Sequence, residues 1–472
     1  MPNAGKPNVL FIVLDALRYD HLSCYGYKRK TCPNIDHLAE NGWLFENAFS
    51  AGMWTPPSHA SMFTGLYPKN HGVLGKNISL PAYNTTMADV LSEQGYRTIL
   101  MSPGPYISKS NGMGKGFQVE HQVGEEWKGG FLNKIRSGLK KLFIRSGYFA
   151  SDYIFWKVSG EISKSKKEKK PFFVFINYAD THHPYIPKSR PWKFPLPKGA
   201  DNKKILKIIG QGMFRKRIKK LLGTTTEQIL KEHPLIGYNM GTFEISGEEW
   251  EQTANAYDSC LWDADASIGQ LVDFLRKNAL LDDTIIVITS DHGENLGDHG
   301  LSGHEHCIYD TLLHVPLILY FPKSIKPKKR KEVVSLVDIL PTILEFVGVK
   351  HRKKLDGIPL TNSDDIAGRK YVFSQKGRPK FNEMIVPKQK QEEFDFAADI
   401  IRDSQYKYAL YSNGKEELFD YSKDPAEEKN LVDTRESKAG ELKKQLLGFI
   451  SSKSGEAENI KRVIDSSLSK RF

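Results

Sequence analysis

A chain of 472 residues, 26% charged and 39% hydrophobic, is too long for one ordinary core and implies one large domain with a smaller one. No apolar run approaches the roughly 20 residues that span a bilayer, and Gly and Pro, at 38 and 24, do not suggest a fibrous or low-complexity class. The formal charge of +12 is gathered in runs at 164–170, 203–220 and 326–331 without interleaved aromatics, the pattern of solvated surface that also attracts anions, not of base stacking.

The first element is Asn8 to Leu14, an unbroken apolar run that reads as a buried parallel strand delivering Asp15 at its C-terminal edge. Ligand sites of open α/β sheets gather at that edge. The chain as given starts almost directly on this strand, without a basic and apolar leader, so the expected location is cytoplasmic. Cys24, Cys32, Cys260 and Cys307 form no close ligand spacing and need no disulfide framework.

Next comes Trp54-Thr55-Pro56-Pro57-Ser58-His59-Ala60-Ser61-Met62-Phe63-Thr64-Gly65. Two prolines suit the first turn of a helix, where missing N–H groups cost nothing. The free N–H groups and the helix dipole favour an anion beside Thr55. Residues from about 120 to 250 read as a variable, basic, partly helical region around a buried strand at 171–178, which runs into Asp180-Thr181-His182-His183-Pro184-Tyr185. Tyr257 to Arg276 has apolar residues at helical spacing. Thr284 to Thr289 then repeats the first strand's design and delivers Asp291 and His292. Strand ends bearing two carboxylates and an imidazole, with a hydroxyl nearby, make an oxygen-rich divalent metal site. Strand-end caps and a polar turn are the plainer reading, but they do not account for all four features occurring together.

These segments together resemble the sulfatase family of the alkaline phosphatase superfamily. That family carries Cys or Ser, then x-Pro-x-Arg and an Ala-Ser-Leu-x-Thr-Gly-like helix; here Thr55 stands in the Cys or Ser slot and His59 in the Arg slot. A threonine cannot yield the formylglycine aldehyde that sulfatases use. Threonine there is the pattern of phosphate-ester members such as nucleotide pyrophosphatases and lipoteichoic acid synthases. The resemblance implies that Asp15, Thr55, Asp291 and His292 hold the metal. Asp180-x-His182 followed by Pro184-Tyr185 resembles the family's Asp-x-His-x-Pro-Tyr element and turns His182 to the substrate, whereas His183 is expected to be a loop residue. Before Tyr309 and Val315-Pro316-Leu317, imidazoles occupy the region of a sulfate-binding Lys; His304 is the first candidate for its role and His306 the second. His59, Asn77 and His306 are the expected substrate contacts.

Two further departures matter. Ala16 replaces a second Asp, and no Gly-Lys-x-His element follows Gly95-Tyr96-Arg97-Thr98. Fewer carboxylates suit Mn²⁺, Zn²⁺ or Mg²⁺ better than Ca²⁺, and one ion per chain is expected, because the spacing of Asp180 and His182 differs from that of the two-metal families.

The expected fold is an alkaline phosphatase-like α/β domain, 1–360, with a mostly parallel central sheet flanked by helices. A small α+β domain, 361–472, follows, with a hairpin at Tyr406–Tyr421 turned by Asn413-Gly414 and a terminal helix. Asp424-Pro425-Ala426-Glu427 with Asn430-Leu431 resembles the family's C-terminal Asp-Pro-x-Glu-x-x-Asn-Leu. The expected function is a metal-dependent hydrolase or transferase of phosphate or phosphonate esters, diester or monoester, with Thr55 as nucleophile and His182 and His304 stabilising the developing charge. The substrate would be an anionic small-molecule or a lipid- or glycan-linked ester; no nucleic-acid partner is indicated, and nothing in the sequence sets an oligomeric state. The alternatives are sulfate-ester hydrolysis without formylglycine and a non-catalytic binding protein on a sulfatase scaffold.

Overall fold

The computed structural model describes residues 5–123, 150–189, 191–197, 201–210, 234–304, 306–378 and 391–452. In chain order the strands are β1 (Asn8–Leu14), β2 (Trp43–Phe49), β3 (Arg97–Ser102), β4 (Val119–Gln122), β5 (Phe172–Tyr178), β6 (Thr284–Thr289), β7 (Asn295–Leu296), β8 (Ser302–Gly303), β9 (His314–Tyr320), β10 (Lys328–Ser335), β11 (Val372–Lys376), β12 (Ala398–Arg402), β13 (Tyr406–Tyr411) and β14 (Glu416–Asp420).

Eight of them form the central sheet in the order β10-β2-β9-β6-β1-β5-β3-β4. Every pairing is parallel except those of β9, which runs against both β2 and β6. β1 is buried at every position. Its Leu10, Ile12 and Leu14 enter one apolar layer and its Val9, Phe11 and Val13 the other. That is why its sequence is an unbroken apolar run: alternate side chains of a strand point to opposite faces, and both faces are covered.

The long helix Gly247–Lys277 packs on the first of these layers through Ala256, Tyr257, Leu261, Ile268 and Leu275. It begins ten residues before the predicted Tyr257, because Ser246 and Glu249 form a reciprocal capping box that starts the helix earlier. The helix Ile339–Phe346 packs Ile339, Leu340, Ile343 and Leu344 into the second layer. Of the basic runs, 164–170 closes the helix Ala150–Lys167 and 326–331 leads into edge strand β10, while most of 203–220 lies outside the described residues.

The smaller sheet, β11 to β14, is antiparallel throughout. Gly414, at φ 87°, supplies the left-handed turn between β13 and β14 that the Asn-Gly pair predicts. The helix Glu436–Ser451 lays Ala439, Leu442 and Leu446 on Ile401, Tyr408 and Leu418. This sheet is stitched to the large one at two places. Gln375 N–H donates to Ala51 O at 2.9 Å and Ser374 Oγ to Ser50 O at 2.5 Å. At the second seam Asp310 pairs with Arg402 and Lys407, Lys407 pairs with Glu427, and Asp310 N–H donates to Glu427 Oε2 at 2.7 Å.

Candidate active site and metal centre

β1 and β6 lie side by side with Val13 opposite Thr289, so Asp15 and Asp291, each two residues further on, emerge level at one sheet edge. Asp15, Asp291 and His292 present ligand atoms that all lie within 4.8 Å of one another. Their other polar atoms are taken. Asn177 Nδ2 donates to Asp15 Oδ2 at 3.0 Å. The amides of Ala16 and His292 donate to Asp291 Oδ1 at 3.2 and 3.0 Å. His292 Nδ1–H donates to Gly293 O at 2.8 Å.

What is left is Asp15 Oδ1, Asp291 Oδ2 and His292 Nε2, buried and without a hydrogen-bond partner, with Nε2 at 3.6 and 3.5 Å from the two oxygens. Three buried lone pairs facing one another are costly unless a cation sits among them. The donor set therefore fits a divalent ion. Burial pushes the His292 imidazole down to about 3, which keeps it in the neutral form a ligand requires. Burial pushes the Asp291 carboxyl up, as expected of an inward charge short of a positive partner.

The turn after β1 is bent to serve this arrangement. Ala16 has φ 59°, a left-handed conformation that costs a residue with a Cβ roughly 1–2 kcal/mol. Tyr257 Oη holds it, donating to Ala16 O at 2.8 Å while accepting from Arg18 N–H at 2.8 Å.

Thr55 is the first residue of the helix Thr55–Thr64, with Pro56 and Pro57 in its first turn. Two contacts tie this helix start to Asp291. Ser50 Oγ lies 2.6 Å from Asp291 O and 3.0 Å from Ser58 Oγ. His59 Nδ1–H donates to Thr55 O at 2.9 Å and lies 3.5 Å from Asp291 Oδ2. The His59 ring is fully enclosed, packed edge-on to Phe63 and Phe175. The residue expected as a substrate contact thus sits enclosed beside Asp291.

His182, His292 and His304 form a cluster of imidazoles, with ring centres 5.1 Å apart and edge-on for His182 and His304, and 4.3 Å apart and tilted for His292 and His304. His304 Nδ1–H donates to Glu294 Oε1 at 3.0 Å, and Glu294 Oε2 accepts from Tyr185 Oη at 2.9 Å. His182 Nδ1–H donates to His183 O at 2.7 Å. Their surroundings push the two rings in opposite directions. Burial drives His304 down to about 3, helped by the neighbouring His182. Burial also opposes charge on His182, but the Asp15 and Glu294 carboxylates outweigh it and raise its affinity for a proton. His183 turns away, its Nε2–H donating to Ile208 O at 3.1 Å.

Two predicted contacts are not brought here. His306 sits edge-on to Phe394 and lines a separate cavity of about 390 Å³ with Leu301, Tyr309, Phe396 and Tyr411; its backbone has already turned toward the smaller sheet. Asn77 is exposed, in a tight turn where its amide donates to Gly72 O, and no described contact joins it to the carboxylates. Sequence reasoning missed Asn177, Thr181 and Glu294. Asn177 was the findable one: a lone amide in an apolar strand, level with Val13 across the ladder. Thr181 Oγ1 donates to Asp15 O at 2.7 Å, and Glu294, two residues past His292, is the acceptor for both His304 and Tyr185.

A mostly parallel sheet, with a cluster of facing ligand atoms at its C-terminal edge that could hold a metal and a helix start beside it, is the alkaline phosphatase-like architecture of a hydrolase. The profile described as Sulfatase matches residues 7–349, and the one described as N-sulphoglucosamine sulphohydrolase, C-terminal, matches 297–452. The chain belongs to the sulfatase family. It is 26% identical to an arylsulfatase of Clostridium perfringens over 92% of each chain. It is 25% identical to an N-acetylglucosamine-6-O-sulfatase of Bacteroides thetaiotaomicron, over 75% of this chain and 70% of that one. Among solved structures, the phosphonate monoester hydrolase of Agrobacterium radiobacter shares the fold at TM-score 0.71 and 22% identity, covering 94% of this chain and 95% of that one.

Proposed function

We propose that this sulfatase-family hydrolase acts on phosphate or phosphonate esters with Thr55 as its nucleophile. One observation carries the reading: the residue that opens the helix tied to Asp291 is a threonine, whose secondary alcohol cannot become an aldehyde. Asp15, Asp291 and His292 would hold the metal, with Thr55 Oγ1 as a fourth ligand; when bound, such an ion supplies Lewis acidity and favours the deprotonated form of an adjacent hydroxyl. Thr55 Oγ1 attacks phosphorus, the ester alcohol leaves with a proton, and a phosphothreonine remains until water or an acceptor alcohol takes the phosphoryl group. His182, whose proton affinity the nearby carboxylates raise, faces the charge that develops on the non-bridging oxygens, and His304, whose one ring proton goes to Glu294, packs against His182 and positions it.

The substrate is an anionic ester, and the sugar sulfatase among the relatives supports a glycan-linked one. A dianionic monoester needs more positive partners than one ion and these imidazoles, so singly charged diesters and phosphonate monoesters are favoured. The second reading, sulfate-ester hydrolysis by Thr55 itself, is supported by the names of the sulfatase relatives. A rate panel separates them: p-nitrophenyl phosphate, bis-p-nitrophenyl phosphate, a phenylphosphonate ester and p-nitrophenyl sulfate, each with several divalent metals. Phosphorus esters are expected to lead, and fastest turnover of the sulfate overturns the first reading. Thr55→Ala is expected to lose several orders of magnitude in rate without unfolding, and Thr55→Ser to keep appreciable activity.

A further inference from the structure

The loop between Asp15 and the next helix holds a second cluster of ligand atoms. Cys24 lies in the single helical turn Ser23–Tyr25, which Gly26 closes at φ 96°. Cys32 is the N-cap of the helix Pro33–Glu40, and Asp36 follows one turn on, its N–H bonded to Cys32 O at 2.8 Å. Ligand spacing in the sequence, seven residues between the thiols, concealed this, because the chain doubles back between them.

We propose that Cys24, Cys32 and Asp36 form a metal site, separate from the catalytic one, for a thiophilic divalent cation of the zinc type. Their ligand atoms all lie within 4.8 Å of one another. Bonds of about 2.3 Å to sulfur and about 2.0 Å to oxygen give tetrahedral edges of about 3.5 Å between S and O and about 3.8 Å between two S. Cys32 Sγ is 3.3 Å from Asp36 Oδ1. Ser23 Oγ, 3.3 Å from Cys32 Sγ and 2.7 Å from Asp36 Oδ2, occupies the fourth corner or yields it to water. The carboxylate distinguishes this cluster from a disulfide pair, which needs only two thiols and gains nothing from a hard anionic partner. Cys32 is buried while Cys24 and Asp36 are partly open, so an ion has a path in. Two thiolates and a carboxylate suit Zn²⁺ or Cd²⁺ and do not suit Mg²⁺ or Ca²⁺. Binding would release the two thiol protons and pin the loop that carries Arg18, whose guanidinium bonds Glu294 O at 3.1 Å.

The test is cadmium titration of the reduced, metal-stripped full chain, read by the ultraviolet thiolate-to-metal charge-transfer band. The band is expected to saturate at one equivalent, to drop at least tenfold in Cys24→Ser and in Cys32→Ser, and to survive in Asp291→Asn, which disables only the catalytic site. Asp36→Asn, a milder change checked for folding by circular dichroism, is expected to keep the band at roughly tenfold weaker affinity. No band in the wild type overturns the proposal. So does a band that persists without Cys24 and Cys32, or a Cys24–Cys32 disulfide that forms readily in a chain that takes up no cadmium. A wild type that shows the band and hydrolyses none of the esters would fault the Thr55 reading and leave this site standing.

Discussion

Asn177 is the residue whose removal most directly tests the metal centre. Its amide donates to Asp15 Oδ2 at 3.0 Å and leaves Oδ1 facing Asp291 and His292, in a pocket where Asp15 is only 5% exposed. A hydrogen bond to a charged group is worth about 1.5–3 kcal/mol, and a buried oxygen stripped of its donor costs a similar amount. In Asn177→Ala the carboxylate can rotate, so part of the metal's binding free energy is consumed in restoring its orientation. Groups that orient metal ligands typically cost 10–100-fold in affinity when lost, and about 1.5–3 kcal/mol corresponds to roughly 10–150-fold, so the two routes agree. The assay is a competition titration with a chromophoric chelator, using Zn²⁺ or Mn²⁺, beside a thermal melt of the metal-free chain. Asn177→Asp would add a negative charge in the same place and serves as a contrasting variant, expected to alter metal preference. An Asn177→Ala dissociation constant within twofold of wild type would refute this account of how Asp15 is held.

Asp291→Ala should abolish both metal uptake at this centre and ester hydrolysis, measured by elemental analysis with the Cys24 cluster silenced by Cys24→Ser. Saturating metal at about 100 times its dissociation constant should stabilise the wild type by about 2.7 kcal/mol, and thermal melts of Asp291→Ala should show none of that shift. His71 predicts an acid limb: Val73 N–H donates to its Nδ1 at 3.0 Å and its Nε2–H contacts Ser61 Oγ at 3.0 Å, and burial pushes it down to about 3. Because its folded pKa lies below the unfolded 6.5, its contribution is complete above pH 6.5 and is lost as pH falls toward 3, on the order of 4 kcal/mol in all. A His71→Asn chain should therefore show a shallower fall of melting temperature between pH 6.5 and 4, and an unchanged slope would contradict this. Glu427→Ala should cost about 1.5–3 kcal/mol in a denaturant melt, because it leaves buried Lys407 with only Asp310 at 3.4 Å and Ile308 O at 2.9 Å; a loss under about 0.5 kcal/mol, well below the roughly 1.5 expected, would show the pair to be idle.

The strands that build the centre were legible because fully covered parallel strands are apolar throughout and end abruptly in polar residues, as Leu14-Asp15 and Thr289-Ser290-Asp291 do. The convergence of Asp15, Asp291 and His292 followed from those ends. Its supporting groups were harder to see, since a contact such as Asn177 to Asp15 depends on the register between strands more than 160 residues apart, which no local pattern encodes. His59 misled for a related reason: its slot in the signature suggested the substrate, while its depth beneath the helix is decided by Phe63 and Phe175. His306 and Asn77 lie apart from the carboxylates, a separation the sequence does not encode, because histidine clusters and turn asparagines look alike whether or not they face a ligand. The start of the long helix was a missed cap, Ser246 with Glu249, hidden by a run of charged residues that carries little apolar periodicity.

The ionic seam of Asp310, Arg402, Lys407 and Glu427 has a consequence for how this chain can be divided. Asp310 follows the His304 segment directly, yet its partners all belong to the C-terminal sheet and the turn beyond it. Cutting the chain near residue 360 would leave buried Asp310 without its cations on one fragment, and on the other would leave buried Arg402 without its carboxylate and Lys407 with Glu427 as its one remaining anion. Neither piece is a natural unit of expression, and a grafted C-terminal sheet from a relative would have to bring its own version of all three partners. The smaller sheet is better regarded as the last-laid course of the catalytic half than as an appended module, and evolutionary exchange at this joint should be confined to parents that share the same four charges.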